Sequence, residues 1–138
     1  MNIVYSYFVL DIVHRGHLLM LKNSKAIAGP DGRLIVGIVS DEAVVAKKGK
    51  APILDFSERL ELANSIQYVD AVVGQQKYTP YENVTNIAPN ILMESESHDE
   101  AQINEGRRLM KELGGRVIVM PYFHDQSSTL IKSKISAV

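Results

Sequence analysis

Strand-like and helix-like stretches alternate along this chain from one end to the other, and that alternation restricts the fold more than any other feature. Short apolar runs separated by helical patterns build a parallel sheet with helices packed on both faces. The runs predict strands over residues 3–9, 33–40, 71–73, 91–93 and 116–120. Leu34-Ile35-Val36-Gly37-Ile38-Val39 has the near-continuous apolar character of a strand covered on both sides. Gly29-Pro30-Asp31-Gly32 stops a first helix over 18–28 and turns the chain into that strand. A later helix over 100–113 ends at Gly114-Gly115, as a left-handed cap requires. The architecture expected is α/β, a doubly wound five-stranded parallel sheet in a single domain spanning residues 1–138.

Composition matters here mainly for what it excludes. With 138 residues, 46% hydrophobic and 22% charged, the chain can bury a core without staples. Its formal charge of −1 gives no basic footprint for nucleic acid, so any anion site must come from local placement of Lys and Arg. The absence of cysteine removes disulfides, thiolate chemistry and cysteine-held zinc, and is compatible with a cytoplasmic protein. The apolar first ten residues lack a basic leader and are too short to span a bilayer, so neither a targeting signal nor a membrane partner is expected.

The stretch that carries chemistry is Leu10-Asp11-Ile12-Val13-His14-Arg15-Gly16-His17, between the first strand and the first helix. A helix start exposes unpaired N–H groups and a partial positive charge, both of which favour phosphate. Gly16 provides a position where backbone or ligand can approach without a Cβ in the way. Imidazoles can donate hydrogen bonds to charge developing on a phosphoryl oxygen. A structural turn whose histidines cap the helix is the plainer alternative, and a metal site is weaker because no third ligand stands at a recognised spacing.

Other segments fit around that turn. Lys47-Lys48-Gly49-Lys50-Ala51-Pro52 is an irregular basic stretch, either reaching a polyphosphate or simply solvated. Asp55 opens a helix with Glu58 three residues on, and Phe56, Leu60 and Ala63 fall on one face, widened by Leu62 and Ile66. Arg59 lies in the first turn, where the helix dipole disfavours a cation; an anion partner or a salt bridge to Asp55 or Glu58 explains it. Lys77 follows the third strand, at the sheet end where ligands bind in doubly wound folds. The polar segment 94–100, containing Glu96, suits a ribose, a metal or a helix cap. Near the end, Ser127-Ser128-Thr129 at a helix start before 130–135 offers a second anion site, or plain N-capping.

Together these pieces resemble the nucleotidyltransferase superfamily with the His-x-Gly-His signature, in particular its small, Rossmann-like, cytidylyltransferase-like members. That group includes sugar-phosphate adenylyltransferases, glycerol-3-phosphate cytidylyltransferases and archaeal-type FAD synthases. Asp11 to His17 looks like the first signature and Ser127-Ser128-Thr129-Leu130-Ile131-Lys132 like the second. The resemblance implies transfer of AMP, or CMP, from a nucleoside triphosphate to a phosphorylated small molecule such as a sugar phosphate, glycerol phosphate or FMN. His14, His17 and Lys50 would then be catalytic. Val9, Leu10, Glu96, Tyr122, Ser127, Ser128 and Thr129, with both histidines, would bind the nucleotide. Lys47, Lys50, Arg59 and Lys77 would hold triphosphate or acceptor oxygens. Mg²⁺ would arrive with the triphosphate rather than in a protein cage, and a homodimer is common in that family. Tyr122 and the Ser-Ser-Thr-Leu wording are closer to adenylyltransferases, which favours ATP over CTP. Phe8 and Glu94 stand where the family usually has glycine, so a nucleotide-binding module with weakened catalysis is the alternative reading.

Overall fold

In the computed structural model, which describes residues 1–123 and 127–137, the chain runs β1 (Ile3–Phe8), α1 (Arg15–Ala28), β2 (Arg33–Val39), α2 (Asp41–Lys48) and α3 (Phe56–Asn64). It continues through β3 (Ala71–Gln75), α4 (Tyr81–Ile87), β4 (Ile91–Ser95), α5 (Glu100–Glu112), β5 (Arg116–Met120) and α6 (Ser128–Ser136). The five strands form one sheet in the order β3-β2-β1-β4-β5, and every pairing is parallel. The fold is the α/β, Rossmann-like single domain that the alternation predicts.

Alternation of side chains along each strand divides the core between the two faces of the sheet. On one face Val4, Leu34, Val36, Ile38 and Met93 pack with Leu21 of α1 and Ala63 of α3. On the other, Tyr5, Tyr7 and Leu92 pack with Val84 of α4 and Met110 of α5. Full burial of each Leu or Ile side chain contributes about 1.5–3 kcal/mol, so the helices are held to the sheet mainly by these stripes. The second face also contains polar ties. Tyr5 Oη donates to Gln75 Oε1 at 2.7 Å and accepts from Asn83 Nδ2 at 2.9 Å, linking β1, β3 and α4.

Four of the five strands have slightly different ends from those predicted, and α1 begins at Arg15, three residues before the apolar periodicity does. The larger differences are two extra helices. The lysine stretch is not wholly irregular, because Lys47 and Lys48 form the last turn of α2, which Gly49 terminates at φ 80°. α4 occupies ground that the sequence leaves blank. Among the described residues, no helix is long and apolar enough to cross a membrane.

Candidate active site

The chain winds outward from β1 to β2 and β3, then returns to β4 and β5 on the other side of β1. Loops leaving the carboxyl ends of β1 and β4 therefore diverge and open a crevice. A cleft of about 670 Å³ fills it, walled by the end of β1, the starts of α1 and α6, and the segments after β4 and β5.

The floor of the cleft begins with an unusual backbone. Leu10 has φ 58°, a left-handed conformation that a side-chain-bearing residue rarely adopts, and its side chain is buried. Asp11 follows, only 4% exposed. Its Oδ1 accepts from the N–H of Leu54 at 2.8 Å and its Oδ2 from the N–H of Ile53 at 2.9 Å. Lys132 Nζ donates to Oδ2 at 2.5 Å. Burial opposes the charged carboxylate, but the Leu54 N–H, the Lys132 ammonium and the Ile53 N–H outweigh it and hold the pKa below the ordinary value. Asp11 thus fastens the turn to the segment after α2 and to α6.

The two histidines cap α1 reciprocally. His14 Nδ1 accepts from the N–H of Gly16 at 3.0 Å, and His17 Nδ1 accepts from the N–H of His14 at 3.2 Å. A ring nitrogen that accepts carries no proton in neutral imidazole, so both rings hold their proton on Nε2. The ring centroids are 4.0 Å apart. Burial lowers the proton affinity of His14, and burial reinforced by neighbouring His14 lowers His17 to about 4. At neutral pH the pair is therefore uncharged and presents two N–H donors. Gly16 is needed for this arrangement, since a Cβ there would lie 2.8 Å from His14 Cε1 and 3.1 Å from Phe123 Cδ1.

The second helix start lies against the first. Ser127 caps α6 by accepting from the N–H of Leu130 at 3.0 Å, and Ser128 Oγ donates to the carbonyl of Ile12 at 2.9 Å. Residues 124–126 of the same loop lie outside the described residues. His14, His17, Ser127, Ser128 and Thr129 all line the one cleft, together with Val9, Leu10, Lys50 and Tyr122. Two helix amino termini facing one space reinforce each other as an anion site. Lys48, Lys50 and Lys132 add ammonium groups to the same walls. Burial and the neighbouring Lys132 depress Lys48, with Asp11 opposing and Lys50 adding to the effect. Crowded cations of this kind are relieved when a polyanion enters.

The remaining candidates are placed differently. Lys47 lines a smaller annex of about 210 Å³ beside the cleft, its ammonium 5.7 Å from the centre of the Tyr78 ring. Arg59 corrects the reading of an anion-binding residue. It is fully buried, and its guanidinium donates to the carbonyls of Leu54, Val9 and Val39 and to Asp41 Oδ1. Its carboxylate partner is Asp41 at 2.6 Å, rather than Asp55 or Glu58. Lys77 is exposed and lines neither cavity, whereas the next residue of the same segment, Tyr78, lines both. Glu96 lines neither cavity but accepts from the N–H of Tyr122 at 2.8 Å, which ties the segment after β4 to the segment after β5. Among the described residues, no three His, Asp or Glu side chains gather into a metal cage.

This geometry agrees with the outcome of comparison with known proteins, in which the cytidylyltransferase-like family model matches residues 9–134. The chain belongs to the cytidylyltransferase-like family. It is 33% identical to the FAD synthase of Korarchaeum cryptofilum over 127 residues, covering 91% of this chain and 85% of that one. It is 28% identical to the D-beta-D-heptose 1-phosphate adenylyltransferase of Bordetella bronchiseptica over 135 residues, 96% of this chain and 81% of the relative. Against longer bifunctional relatives the chain spans 28% of their length. A crystal structure of the lipopolysaccharide core biosynthesis protein from Thermoplasma volcanium superposes with a TM-score of 0.70 at 28% identity, covering 89% of this chain and 97% of that one.

Within this member of the cytidylyltransferase-like family, Lys132, Asp11 and Lys48 are cleft residues that sequence reasoning did not single out as site residues. Lys132 falls one helical turn after Ser128 and so shares its face, a signal that the i, i+4 spacing carries. Asp11 directly precedes the turn, and only tertiary structure shows how many donors it collects. Lys48 was legible as one of three close lysines, without a means of ranking it against Lys47.

Proposed function

We propose that this protein transfers a nucleotidyl group, AMP in preference to CMP, from a nucleoside triphosphate to the phosphate of a small acceptor. An acceptor phosphate oxygen forms a bond to the α-phosphorus, the bond from that phosphorus to the αβ-bridging oxygen breaks, and pyrophosphate leaves. The observation that carries this reading is the convergence of two helix starts and two neutral, Nε2-protonated histidines on one cleft. The Nε2–H groups of His14 and His17 donate to α-phosphate oxygens as negative charge builds on them. The start of α6, with Ser127, Ser128 and Thr129, takes the β- and γ-phosphates, and Lys48, Lys50 and Lys132 neutralise them. Mg²⁺ would come with the triphosphate and would supply further charge neutralisation. The ammonium groups and backbone donors of the cleft bind phosphate oxygens and not a cation, so the metal would be held by the nucleotide. The adenylyltransferase name of one relative and the FAD synthase name of another support ATP as donor.

The test is pyrophosphate release from ATP and CTP, with Mg²⁺ and a panel of phosphorylated acceptors. ATP should be used faster, and His17→Ala should lower kcat by about 10² or more while changing nucleotide affinity much less. Silence across the panel defeats the proposal. One observation favours a second reading, a nucleotide-binding module with weak turnover: the Phe8 ring lies in the cleft, edge-on to His17 with centroids 5.9 Å apart. If that ring blocks the nucleotide, Phe8→Gly raises turnover; if it supports His17, the same change lowers it.

A further inference from the structure

The annex beside the cleft is built around a buried carboxylate that the transfer step does not use. Glu94, at the end of β4, is fully buried. Its Oε2 accepts from Tyr7 Oη at 2.8 Å and contacts His98 Nδ1, while its Oε1 has no hydrogen-bond partner among the described residues. Gln102 Nε2 donates to Tyr7 Oη at 2.6 Å, and the rings of Tyr7 and His98 stack with centroids 5.3 Å apart. Tyr7, Glu94, His98 and Gln102 form a connected network. A buried carboxylate is retained at a cost unless its partners are positioned by it.

His98 stands where the two cavities meet, since it lines both, as do Tyr7, Phe8, Val9, Tyr78 and Ser97. His98 Nδ1 is engaged by Glu94 and by the N–H of Ser95 at 3.3 Å, and its Nε2 has no hydrogen-bond partner among the described residues. Gln102, having committed Nε2 to Tyr7, keeps Oε1. Asp99 caps α5 through Oδ1, which accepts from the N–H of Ala101 at 3.0 Å, and keeps Oδ2. Among the described residues Lys47 has no hydrogen-bond acceptor, and its ammonium lies 5.7 Å from the centre of the Tyr78 ring. The annex wall thus sets unused acceptors and an unused donor among the side chains of Tyr7, Phe8, Val9, Val39 and Tyr78. A hydroxyl group both donates and accepts, so adjacent hydroxyls satisfy such a wall. A large planar ring system would leave those polar groups unpaired in a space less than a third the volume of the cleft.

We propose that this annex binds the hydroxyl-bearing body of the acceptor, which is therefore a sugar or polyol phosphate, with His98 and Gln102 as binding residues and buried Glu94 as the residue that positions His98. The inference rests on the nucleotidyl-transfer reading and narrows its acceptor. It is tested on the full chain with Mg²⁺ and ATP or CTP, by comparing an aldose 1-phosphate, glycerol 3-phosphate and FMN as acceptors. Turnover of a sugar or polyol phosphate, and not of FMN, is the expected result. His98→Phe and Gln102→Ala should each raise the acceptor KM about tenfold and the nucleotide KM less than about twofold. Glu94→Gln should raise the acceptor KM while kcat is largely kept, and Glu94→Asp should recover less than the native residue. Circular dichroism melts establish that the variants fold.

FMN as sole acceptor, or variants with an unchanged acceptor KM, overturns the annex proposal and leaves nucleotidyl transfer standing. If no acceptor releases pyrophosphate, transfer fails and the annex is judged by binding. Aldose 1-phosphate titrated into the protein with a non-hydrolysable ATP analogue must then shift the His98 imidazole resonances in native protein and not in Gln102→Ala. No shift in the native protein overturns it.

Discussion

His17 couples protonation to stability in a defined direction. Its folded pKa is lowered from 6.5 to about 4, so as pH falls below the unfolded value the unfolded chain takes up the proton first. Stability from this residue is complete above about 6.5, declines between there and about 4, and is level below; the shift sets an upper bound of about 3 kcal/mol. Urea midpoints measured across that range should fall in native protein, and His17→Asn should flatten the slope. Asp11 acts at lower pH, because its depressed carboxyl loses its contribution only as pH falls through a value under 3.8. Arg59 gives the strongest stability prediction. Replacing it with Met strips donors from three carbonyls and from Asp41, and should cost about 3–5 kcal/mol by chemical denaturation. Its misreading has a physical cause. The sequence shows an unfavourable helix position for a cation, but not that the carbonyls of Val9 and Val39, at the ends of two adjacent strands, converge there.

Among the elements, terminal signals made α5 legible, but α2 was missed although it carried them. α5 has an Asp99 cap and a glycine pair after it, and was placed to within a residue. α4 starts at Pro80 with no side-chain cap and stops at Ala88 in a left-handed conformation that glycine or asparagine would have announced. Within its seven residues only Glu82, in the first turn, marks an end. α2 did carry its signals, with Ser40 accepting from the N–H of Ala43, acidic residues in the first turn, lysines in the last and Gly49 beyond. The basic cluster drew attention to the loop and away from the helix that ends in it. α6 has no buried residue and is fastened chiefly through Ser128 to Ile12 and Lys132 to Asp11. Its amides should therefore exchange with deuterium faster than those of β1, and saturating ATP should slow α6 more than any other helix. Equal protection of α6 with and without nucleotide would separate it from the phosphate site.

For the molecule as a whole, periodicity identified a parallel sheet but not its strand order, because any buried parallel strand reads as a continuous apolar run. The order places β1 at the centre, with the crevice between the loops after β1 and β4. Pieces from both ends of the chain meet there, which two separated signatures alone could only suggest. A ligand that bridges α1 and α6 stabilises the native state by mass action, about 2.7 kcal/mol at a hundred times its dissociation constant. ATP should accordingly raise the thermal midpoint more than CTP at equal concentration, and Lys132→Met should reduce the difference from the unliganded protein.

His14 and His17 close the first turn of α1 through one ring nitrogen, and in the proposed transfer step the other would donate to phosphate, so each ring would serve two tasks on opposite edges. An amide side chain can imitate either edge: asparagine reproduces the near acceptor, and glutamine extends toward the far donor. Swapping the two at these positions would divide helix initiation from phosphoryl chemistry, a separation that alanine, by erasing both edges, cannot make.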